Sequence, residues 1–489
     1  MNDTSLTSYD RVAYPSVSHV DMHPATIAAV AALCGHAGTP RRGYRVLELG
    51  CGSGANLMSM ALAAPESDFV GTDLAPTAVE IASAVAKTAG LTNVRFEARD
   101  ILAPGTPEGP FDYIIAHGVY AWGPPAGRAR ILPLGAELLA PEGVAAISYN
   151  VRPGCHIRQV IRDQLLHATR GIADPGEKLK RARDFLKYQI EGWNVGDPYC
   201  AALRLEAEAA LKRDPGVLYH DELGDWFDPQ MLSEVVAAAR AAGLDYLCDS
   251  HISFMGEALF PGRATEAARR WTGGDWVGFE QMLDFTGMRR FRRSVFTRAG
   301  KVGDRAFHPS RLAGLCADAE LAAETPDAQK PGIATFRGPR DEEVDVSSPD
   351  IAALLRSLGE NFPNAIDLTA YSTREALPQD LLEVLVSGVV TPRTRPLNCT
   401  AAPGARPLAS SLARAQAARG ETRVAAIKGG AARLADDGIK AFLMLLDGTR
   451  THEDISEAMA RKMGVSVAEA ASRTPVALAH LAKLGVMVA

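Results

Sequence analysis

From Arg45 to Asn150 the chain alternates short apolar stretches with amphipathic ones. The short stretches, which predict β-strands, are RVLEL, DFVGTDL, NVRFEARD, FDYIIAHG and VAAISYN. The stretches that predict helices are NLMSMALAAP, APTAVEIASAVAKTAG and ARILPLGAELLAPEG. This succession is typical of a parallel sheet covered by helices, so we expect an α/β fold of the Rossmann-like kind.

The predicted sheet is interrupted and then completed. Residues 155–215 are charged and helical in pattern, which predicts a helical insertion. After it, QMLSEVVAAARAAG predicts a helix closed by Gly243, and LDYLCDS predicts the next strand. RRFRRSVFTRAG predicts a last strand, which we expect at the sheet edge with its arginines on a solvated face. Two added strands give a seven-stranded, mostly parallel sheet.

Beyond Lys301 the pattern changes. Frequent proline, glycine and acidic residues in ETPDAQKPGIATFRGPRDEEVDVSSPD predict a boundary or an exposed loop, and TPRTRPLNCTAAPGARPLASS predicts a linker. The last unit has three helical patterns and a terminal apolar strand, which indicates an α+β winged helix. The expected regions are 1–154 (core), 155–215 (insertion), 216–300 (end of the core), 301–395 (middle domain) and 396–489 (winged-helix-like domain).

Composition narrows the class of protein. Of 489 residues, 47% are hydrophobic and 22% charged, and the formal net charge of −6 gives no general attraction for nucleic acid. The 7 cysteines are scattered without a CxxC pair, which indicates a reducing compartment. The start MNDTSLTSYDRVAYP is unlike a signal peptide, and no stretch approaches the roughly 20 apolar residues of a membrane helix. We therefore expect a cytoplasmic protein that does not insert into membranes.

The stretch VLELGCGSGAN places three glycines directly behind the first predicted strand. Missing side chains let a ligand approach the backbone and the N-terminus of the next helix, as in nucleotide-cofactor sites. Gly50, Gly52 and Gly54 fit a dinucleotide fingerprint loosely. Asp73 ends the second strand, where a carboxylate can accept both ribose hydroxyls. These residues suit NAD and S-adenosylmethionine alike.

Two further acids distinguish these cofactors. Glu48 precedes the first glycine, and Asp100, followed by Ile101, ends the third strand. This order of an acid, glycines and two more acids resembles the class I S-adenosylmethionine-dependent methyltransferases, whose third-strand acid faces the adenine amino group. Carboxylates attract the ammonium and sulfonium of that cofactor, whereas they would repel a pyrophosphate. The resemblance implies S-adenosylhomocysteine as product, and cofactor contacts from Tyr14, Glu48, Gly50, Gly52, Gly54, Asn56, Asp73, Leu74, Asp100, Ile101 and His117.

Aromatic and histidine side chains are candidates for the acceptor side. Tyr9 and Tyr14 precede the first long helix and could fold over the cofactor as a lid. His117, Tyr120 and Trp122 follow the fourth strand, at the edge where open α/β folds place reacting groups. Aromatic rings there can enclose a methylammonium through cation–π contacts. For each of these aromatic residues, simple packing is the alternative interpretation.

Two more groups approach the pocket if the sheet closes as predicted. Tyr149 and Asn150 end the fifth strand, and YHDE at residues 219–222 begins the segment after the insertion. A helix-capping acidic turn is the alternative for this second group. The residues predicted to be catalytic are Tyr14, His117, Tyr120, Trp122, Tyr149 and His220.

Two patterns suggest other ligands and are interpreted structurally. HVDMH could hold a metal if extended, but the proline that follows it indicates the first turn of a helix, so we predict no metal site. MRRFRRSVFTR could attract RNA or an acidic peptide, although a solvated face is the simpler interpretation. The signatures of base-methylating enzymes, Asp or Asn followed by Pro-Pro and an aromatic residue, are absent. Nucleic acid is therefore not expected as a partner.

A wider resemblance is carried by YPSVSHVDMHP, FDYIIAHGVYAWGP, ISYNVRPG, YHDELGDWFDP and GLDYLCDS. Together they resemble bacterial methyltransferases with a methyltransferase regulatory domain, a family that includes the rickettsial protein-lysine methyltransferases of outer-membrane protein B. The similarity spans Tyr9 to Arg298, with a departure at Cys155, where relatives have an aromatic residue. It implies lysine N-methylation, a protein or peptide acceptor and a homodimer. The alternatives are methylation of a small molecule or peptide natural product, and a non-catalytic regulatory protein that binds the cofactor.

Overall fold

The computed structural model describes residues 7–255, 263–305, 308–325, 330–339, 341–372 and 377–489. Its central sheet is formed by β1 (Arg45–Leu49), β2 (Asp68–Asp73), β3 (Val94–Ala98), β4 (Phe111–Ala116), β5 (Leu139–Asn150), β6 (Leu244–Asp249) and β7 (Phe291–Arg298). The strand order is β3-β2-β1-β4-β5-β7-β6. Strands β1 to β5 are parallel, and β7 runs antiparallel to both β5 and β6. The predicted seven-stranded, mostly parallel α/β fold is confirmed.

The helices of the core are α1 (Ser8–Arg11), α2 (Pro24–Leu33), α3 (Ala55–Ala63), α4 (Pro76–Thr88) and α5 (Pro125–Leu138). They begin at a capping box (α1), at the glycine loop (α3) or at first-turn prolines (α2, α4 and α5). Proline suits the first turn because its missing N–H would have no partner there. One face of the sheet packs on α2 and is continuous with the core of the middle domain, whereas the other face packs on α5.

The insertion forms a separate helical unit with its own apolar core. Its elements are α6 (His156–Ala168), α7 (Pro175–Gly192), α8 (Pro198–Leu211), α9 (Pro215–Val217) and a π-helical turn, Leu218–Glu222. Asp174 and Asp197 accept hydrogen bonds from backbone N–H groups in the first turns of α7 and α8, which stabilises those helix starts. The helical insertion predicted after β5 is therefore present.

The segment that returns to the sheet contains α10 (Leu232–Ala241), α11 (Arg263–Thr272) and α12 (Trp276–Thr286). The prediction that β7 is a solvated edge strand is wrong, because β7 lies between β5 and β6. Arg292 is fully buried, and its guanidinium contacts the carboxylates of Asp284 at 2.9 Å and Glu280 at 3.1 Å. Buried carboxylates, rather than water, neutralise the positive charge of this arginine.

The middle domain replaces two expected loops with ordered elements. It contains β8 (Cys316–Asp318), β9 (Ala322–Ala323), β10 (Ala334–Arg337), β11 (Glu343–Val346), α13 (Pro349–Asn361), β12 (Ile366–Asp367), α14 (Thr369–Ser372), α15 (Leu377–Ser387) and β13 (Thr391–Arg393). The passage expected to be an exposed loop forms the β10–β11 hairpin, although residues 326–329 and 340 lie outside the described ranges. The passage expected to be a linker begins with β13, where buried Arg393 pairs with Asp318. Backbone pairing and a buried ion pair override the local turn signals.

The C-terminal domain has its own core and also packs on the main sheet unit. Its elements are α16 (Ser411–Ala418), β14 (Arg423–Ala425), β15 (Ala431–Arg433), α17 (Asp437–Leu445), α18 (His452–Met463) and α19 (Val467–Lys483). The expected terminal strand is reduced to one β-bridge between Ala409 and Met487. Leu412 and Ala415 of α16 pack against α3 and α4, which places this domain beside the glycine loop. Within the described ranges, no helix combines the length and apolar character needed to cross a membrane.

Candidate active site

A cavity of about 1000 Å³ lies at the C-terminal ends of β1 to β5. Ligands of open α/β sheets bind at this edge, because the loops that follow the strands meet there. Three other parts of the chain complete the wall: residues 7–19, called the N-terminal segment below, the helical insertion, and Arg423 at the start of β14. The cavity is thus shared between the sheet core and elements distant in sequence.

The glycine loop lines the cavity with bare backbone. Gly50, Gly52 and Gly54 have φ values of 72°, 54° and 77°, in the left-handed region that side chains disfavour. A Cβ on Gly50 would come within 2.4 Å of the Val119 side chain, whereas a Cβ on Gly52 would meet no atom within 4 Å. The space beside Gly52 is therefore free for a ligand, and Gly50 allows the loop after β4 to approach.

Glu48 is buried at the base of the cavity. Its Oε1 accepts a hydrogen bond from Asn56 Nδ2 at 2.6 Å, and Asn56 Oδ1 accepts one from the backbone N–H of His19 at 2.8 Å. Glu48 Oε2 is buried and has no hydrogen-bond partner among the described residues. Burial raises the pKa of Glu48 to about 7. A bound cation would supply the missing partner and favour the carboxylate.

Asp73 and Asp100 lie on the far side of the glycine loop. Asp73 accepts from the N–H of Gly52 at 2.8 Å and from the N–H of Ala75 at 2.9 Å, so it also shapes the loop. Burial raises the pKa of Asp73. Asp100 is exposed, and its Oδ1 accepts from the N–H of Leu102. Together with Leu74 and Ile101, these acids line the part of the cavity predicted to hold the adenosyl group.

The N-terminal segment crosses the cavity and is anchored at both sides. Ser16 Oγ accepts from the N–H of Ala55 at the start of α3, and Asp10 accepts from the N–H of Thr77 in α4. On the insertion side, Tyr14 donates its hydroxyl hydrogen to Asp221 Oδ1 at 3.3 Å. Burial and the nearby Asp221 raise the pKa of Tyr14, so its hydroxyl stays protonated. These contacts place the segment where the lid was expected.

Two histidines stack where the N-terminal segment meets the end of β4. The ring centroids of His19 and His117 are 3.9 Å apart. Burial, followed by the charge of Arg293, lowers the pKa of His19 to about 4, and burial also lowers the pKa of His117. His117 Nδ1 is buried without a hydrogen-bond partner among the described residues. Both imidazoles are therefore neutral at physiological pH, and both line the cavity.

The residues predicted to be catalytic fall into two groups. Tyr14, His117 and Trp122 line the cavity. The Trp122 ring lies 4.6 Å from the ring of Phe227 and carries the guanidinium of Arg158 at 5.0 Å from its centroid. This arrangement fixes the indole as part of the wall and leaves less of its face for a ligand.

Tyr120, Tyr149 and His220 lie outside the cavity lining. Tyr120 and Tyr149 belong to the apolar core beneath the sheet, where the Tyr149 hydroxyl hydrogen-bonds with Ser294 Oγ at 2.9 Å. His220 Nε2 donates to the carbonyl oxygen of Val12 at 2.6 Å and holds the N-terminal segment. Their placement supports packing roles for the two tyrosines and an anchoring role for His220. For Tyr149, a residue of β5, the reason is that alternate residues of a strand face opposite sides of a sheet.

Several wall residues were not predicted. Arg158 of the insertion pairs with Asp221 at 2.9 Å and with Glu222 at 2.8 Å, and Arg213 also pairs with Glu222. Nothing in the local sequence distinguishes these arginines from the other charges of the insertion. Ser16 carries no sequence signal either, because its partner is the backbone of a distant helix.

The HVDMH residues have separate structural roles. His19 stacks on His117, and Asp21 pairs with Arg293 at 3.3 Å. His23 Nδ1 accepts from the N–H of residue 25 and caps α2, which begins at the predicted proline. Within the described ranges, no cluster of three or more His, Cys, Asp or Glu residues is arranged to hold a metal ion.

The residues present fit a cationic adenosyl donor. Glu48 Oε2 is a buried acceptor without a partner among the described residues, and open space adjoins Gly52. Acids lie at or just beyond the C-terminal ends of three adjacent strands. Residues 40–173 match the family description "Methyltransferase domain". The protein is a class I S-adenosylmethionine-dependent methyltransferase.

Two further family descriptions match: a predicted methyltransferase regulatory domain at residues 214–298, and the PKMT C-terminal winged helix domain at residues 405–477. The chain belongs to the same family as RP028 of Rickettsia prowazekii (strain Madrid E), with 33% identity over 223 residues, 45% of this chain and 89% of RP028. It is 28% identical to RP789 of the same organism over 368 residues, which cover 73% of this chain. The match spans 66% of RP789, just under two thirds of its length. The fold matches the structure of PKMT2 from Rickettsia typhi in complex with AdoHcy, with a TM-score of 0.83, 24% identity and coverage of 97% of this chain and 100% of that chain.

Proposed function

We propose that the protein methylates the side-chain amine of lysine in a protein acceptor. The observation that carries the proposal is the C-terminal domain, whose residues 405–477 match the PKMT winged helix and which contributes Arg423 to the cofactor cavity. A domain outside the sheet core that reaches the cavity is suited to presenting a macromolecular acceptor. The overall likeness to PKMT2 of Rickettsia typhi supports the same assignment.

The chemistry of the cavity mouth suits a lysine side chain. Tyr14 and Trp226 line the cavity and are 44% and 48% exposed, and the neighbouring Asp225 is exposed. Aromatic faces and a carboxylate attract an approaching ammonium group. Lysine has a pKa near 10.4 in water and must lose a proton before it reacts, and a partly desolvated cavity lowers that pKa.

The protein's task is positioning rather than covalent chemistry. When bound, S-adenosylmethionine would supply an activated methyl group. The new nitrogen–carbon bond would form as the sulfur–carbon bond breaks, and sulfur would keep the electron pair of the broken bond. The proton of the amine would pass to water. Glu48, Asp73 and the glycine loop would hold the donor. The N-terminal segment and Trp122 would exclude bulk water from the donor side of the cavity.

Labelled donor tests the proposal directly. The purified protein is incubated with methyl-labelled S-adenosylmethionine, a bacterial protein extract and a metabolite fraction, and the protein is hydrolysed to amino acids. We expect the label in methyllysine and its loss with Asp73→Ala. Label confined to small molecules would contradict protein methylation and favour the natural-product alternative. Failure to bind both S-adenosylmethionine and S-adenosylhomocysteine in calorimetry would leave only a scaffold role.

The C-terminal domain offers a matched pair of variants. Arg423 and Arg433 face each other across the β14–β15 hairpin, and Arg423 lines the cavity whereas Arg433 is outside the lining. We expect Arg423→Ala to lower the rate of protein methylation and Arg433→Ala to leave it close to wild type. Equal rates for the two variants would mean that this edge of the winged helix does not serve the reaction.

We also propose that the protein is a cytoplasmic homodimer. All seven cysteines are free thiols, which supports a reducing compartment. The insertion exposes Tyr188, Tyr199 and Leu205, with Leu205 68% exposed, and such apolar surface is suited to a subunit interface. Light scattering should give a dimer mass that Leu205→Glu reduces to a monomer. A wild-type monomer at micromolar concentration would contradict the dimer, and recovery of the protein outside the cytoplasmic fraction would contradict its location.

A further inference from the structure

Asn150, the last residue of β5, lies on the opposite side of β4 from the donor-binding acids. Glu48, Asp73 and Asp100 lie at or just beyond the C-terminal ends of β1, β2 and β3, and the sheet order then continues through β4 to β5. Asn150 lines the same cavity as those acids. A donor held by the acids therefore has Asn150 beyond its reacting end, on the side where an acceptor must enter.

The amide oxygen of Asn150 has no hydrogen-bond partner among the described residues. The side chain is only 6% exposed, so bulk water does not compensate the oxygen. Its amide nitrogen Nδ2 donates to Cys155 Sγ at 3.6 Å. An unpartnered buried acceptor at the wall of a cavity is unfavourable unless a ligand donates to it.

The contact with Cys155 determines which way the amide faces. Cys155 Sγ donates its hydrogen to the carbonyl oxygen of Arg290 at 3.0 Å. With its hydrogen committed there, the sulfur acts as an acceptor and selects the NH₂ end of the Asn150 amide. The oxygen is consequently directed away from the thiol.

The guanidinium groups near this end of the cavity are already engaged. Arg158 is paired with Asp221 and Glu222, and Arg290 is paired with Glu206 at 2.5 Å. These guanidinium groups are donors, so they cannot accept a hydrogen bond from an amine. Asn150 Oδ1 is left as a neutral acceptor in this part of the wall.

We propose that Asn150 is a catalytic residue whose Oδ1 accepts a hydrogen bond from the acceptor amine, and that Cys155 is the positioning residue that orients the amide. The inference rests on the proposed lysine methylation. A neutral amine that donates one N–H to Oδ1 keeps its lone pair available for the methyl group. An amide oxygen serves this purpose better than a carboxylate, which would favour the protonated and unreactive ammonium.

The test measures methyllysine formation in a bacterial protein extract and binding of S-adenosylhomocysteine by calorimetry, for five variants. We expect Asn150→Ala to lower the methylation rate at least about 10-fold, because the amine loses its orientation. Cofactor affinity should stay within about twofold of wild type, since the donor is held elsewhere. Asn150→Asp should move the pH–rate profile to higher pH. Cys155→Ala should slow methylation, whereas Cys155→Ser, which keeps a donor and an acceptor, should restore it.

The fifth variant combines Asn150→Ala with Cys155→Ala. If Cys155 acts only through the amide, the double variant is no slower than Asn150→Ala alone. Cys399→Ala is the matched control, because this buried thiol also donates to a carbonyl oxygen, that of Pro363, away from the cavity.

Three results overturn the inference. If the wild type forms methyllysine and the Asn150→Ala variant forms it equally fast, Asn150 has no catalytic role. A large loss of cofactor affinity in Asn150→Ala would assign the oxygen to the donor instead. Absence of methyllysine with the wild type would remove the proposed function and this inference together, which distinguishes that failure from the first.

Discussion

The buried carboxyl of Glu48 makes the free protein less stable as the pH rises. Burial raises its pKa from the ordinary 4.5 to about 7, so between these values the folded protein binds more protons than the unfolded chain. The free energy of unfolding must therefore fall with increasing pH across this window and become constant above it. A difference of about 2.5 pKa units corresponds to about 3 kcal/mol. Below pH 4.5 the contribution vanishes.

Glu48→Gln removes this titration while keeping the shape of the side chain. The amide oxygen of Gln can still accept from Asn56 Nδ2. We expect the variant to gain about 3 kcal/mol relative to wild type between pH 4.5 and pH 8. The difference between the two proteins at each pH cancels the other titrating groups.

Urea unfolding followed by tryptophan fluorescence is a suitable assay, because all 5 tryptophans lie before the middle domain: Trp122, Trp193, Trp226, Trp271 and Trp276. The signal therefore reports on the part of the chain that contains Glu48. A difference in unfolding free energy between variant and wild type that does not change with pH would refute the reasoning.

The same substitution should weaken donor binding. The ionised Glu48 attracts a cation, so binding to the wild type should strengthen as the pH rises through about 7 and should release protons. Calorimetry in two buffers of different ionisation enthalpy measures that release. We expect Glu48→Gln to bind S-adenosylmethionine at least about 10-fold more weakly and to release no proton. Equal affinity and equal proton release in both proteins would mean that Glu48 does not face the donor.

Three further sets of substitutions test other parts of the structure. Gly52→Ala and Gly90→Ala both place Cβ in open space at φ values of 54° and 71°, and each should cost about 1–2 kcal/mol of stability. Only Gly52→Ala should also weaken cofactor binding in calorimetry, and an equal affinity in both variants would show that the ligand does not approach this glycine. Asp73→Ala should reduce cofactor affinity far more than Tyr120→Phe, which lies in the core, and similar losses would contradict the roles assigned to them. Arg292→Ala removes the buried guanidinium that the carboxylates of Asp284 and Glu280 contact, and it should lower the unfolding free energy by about 3–5 kcal/mol in urea titrations. A loss below about 1 kcal/mol would mean that this ion-pair network does not stabilise the fold as described.

Much of the fold and the donor side of the site could be predicted because their signals are local. Alternating apolar stretches specify the strands and helices of the core, and a positive φ can be expected of the glycines in a strand–turn–helix loop. Glu48 and Asp73 could be assigned to one edge because parallel strands that alternate with helices all end on the same side. The acceptor side was predicted less well. Tyr120 and Tyr149 were expected in the pocket but lie in the core. A residue near a strand end such as Tyr149 reaches the cavity or the opposite face according to the pleat, and the direction of Tyr120 is set by the path of the loop after β4.

By itself, the sequence determined the class of fold, the position of the glycine loop and the acids around it, because these depend on residues close together along the chain. Only the tertiary structure decided that β7 is an interior strand, that Ser16 caps α3 across the cavity and that Cys155 orients the amide of Asn150. Each of these features depends on partners between 5 and 153 positions away, or on strand order, which no local pattern encodes. Burial then sets the charge state of groups such as Glu48, because desolvation is a property of the assembled fold.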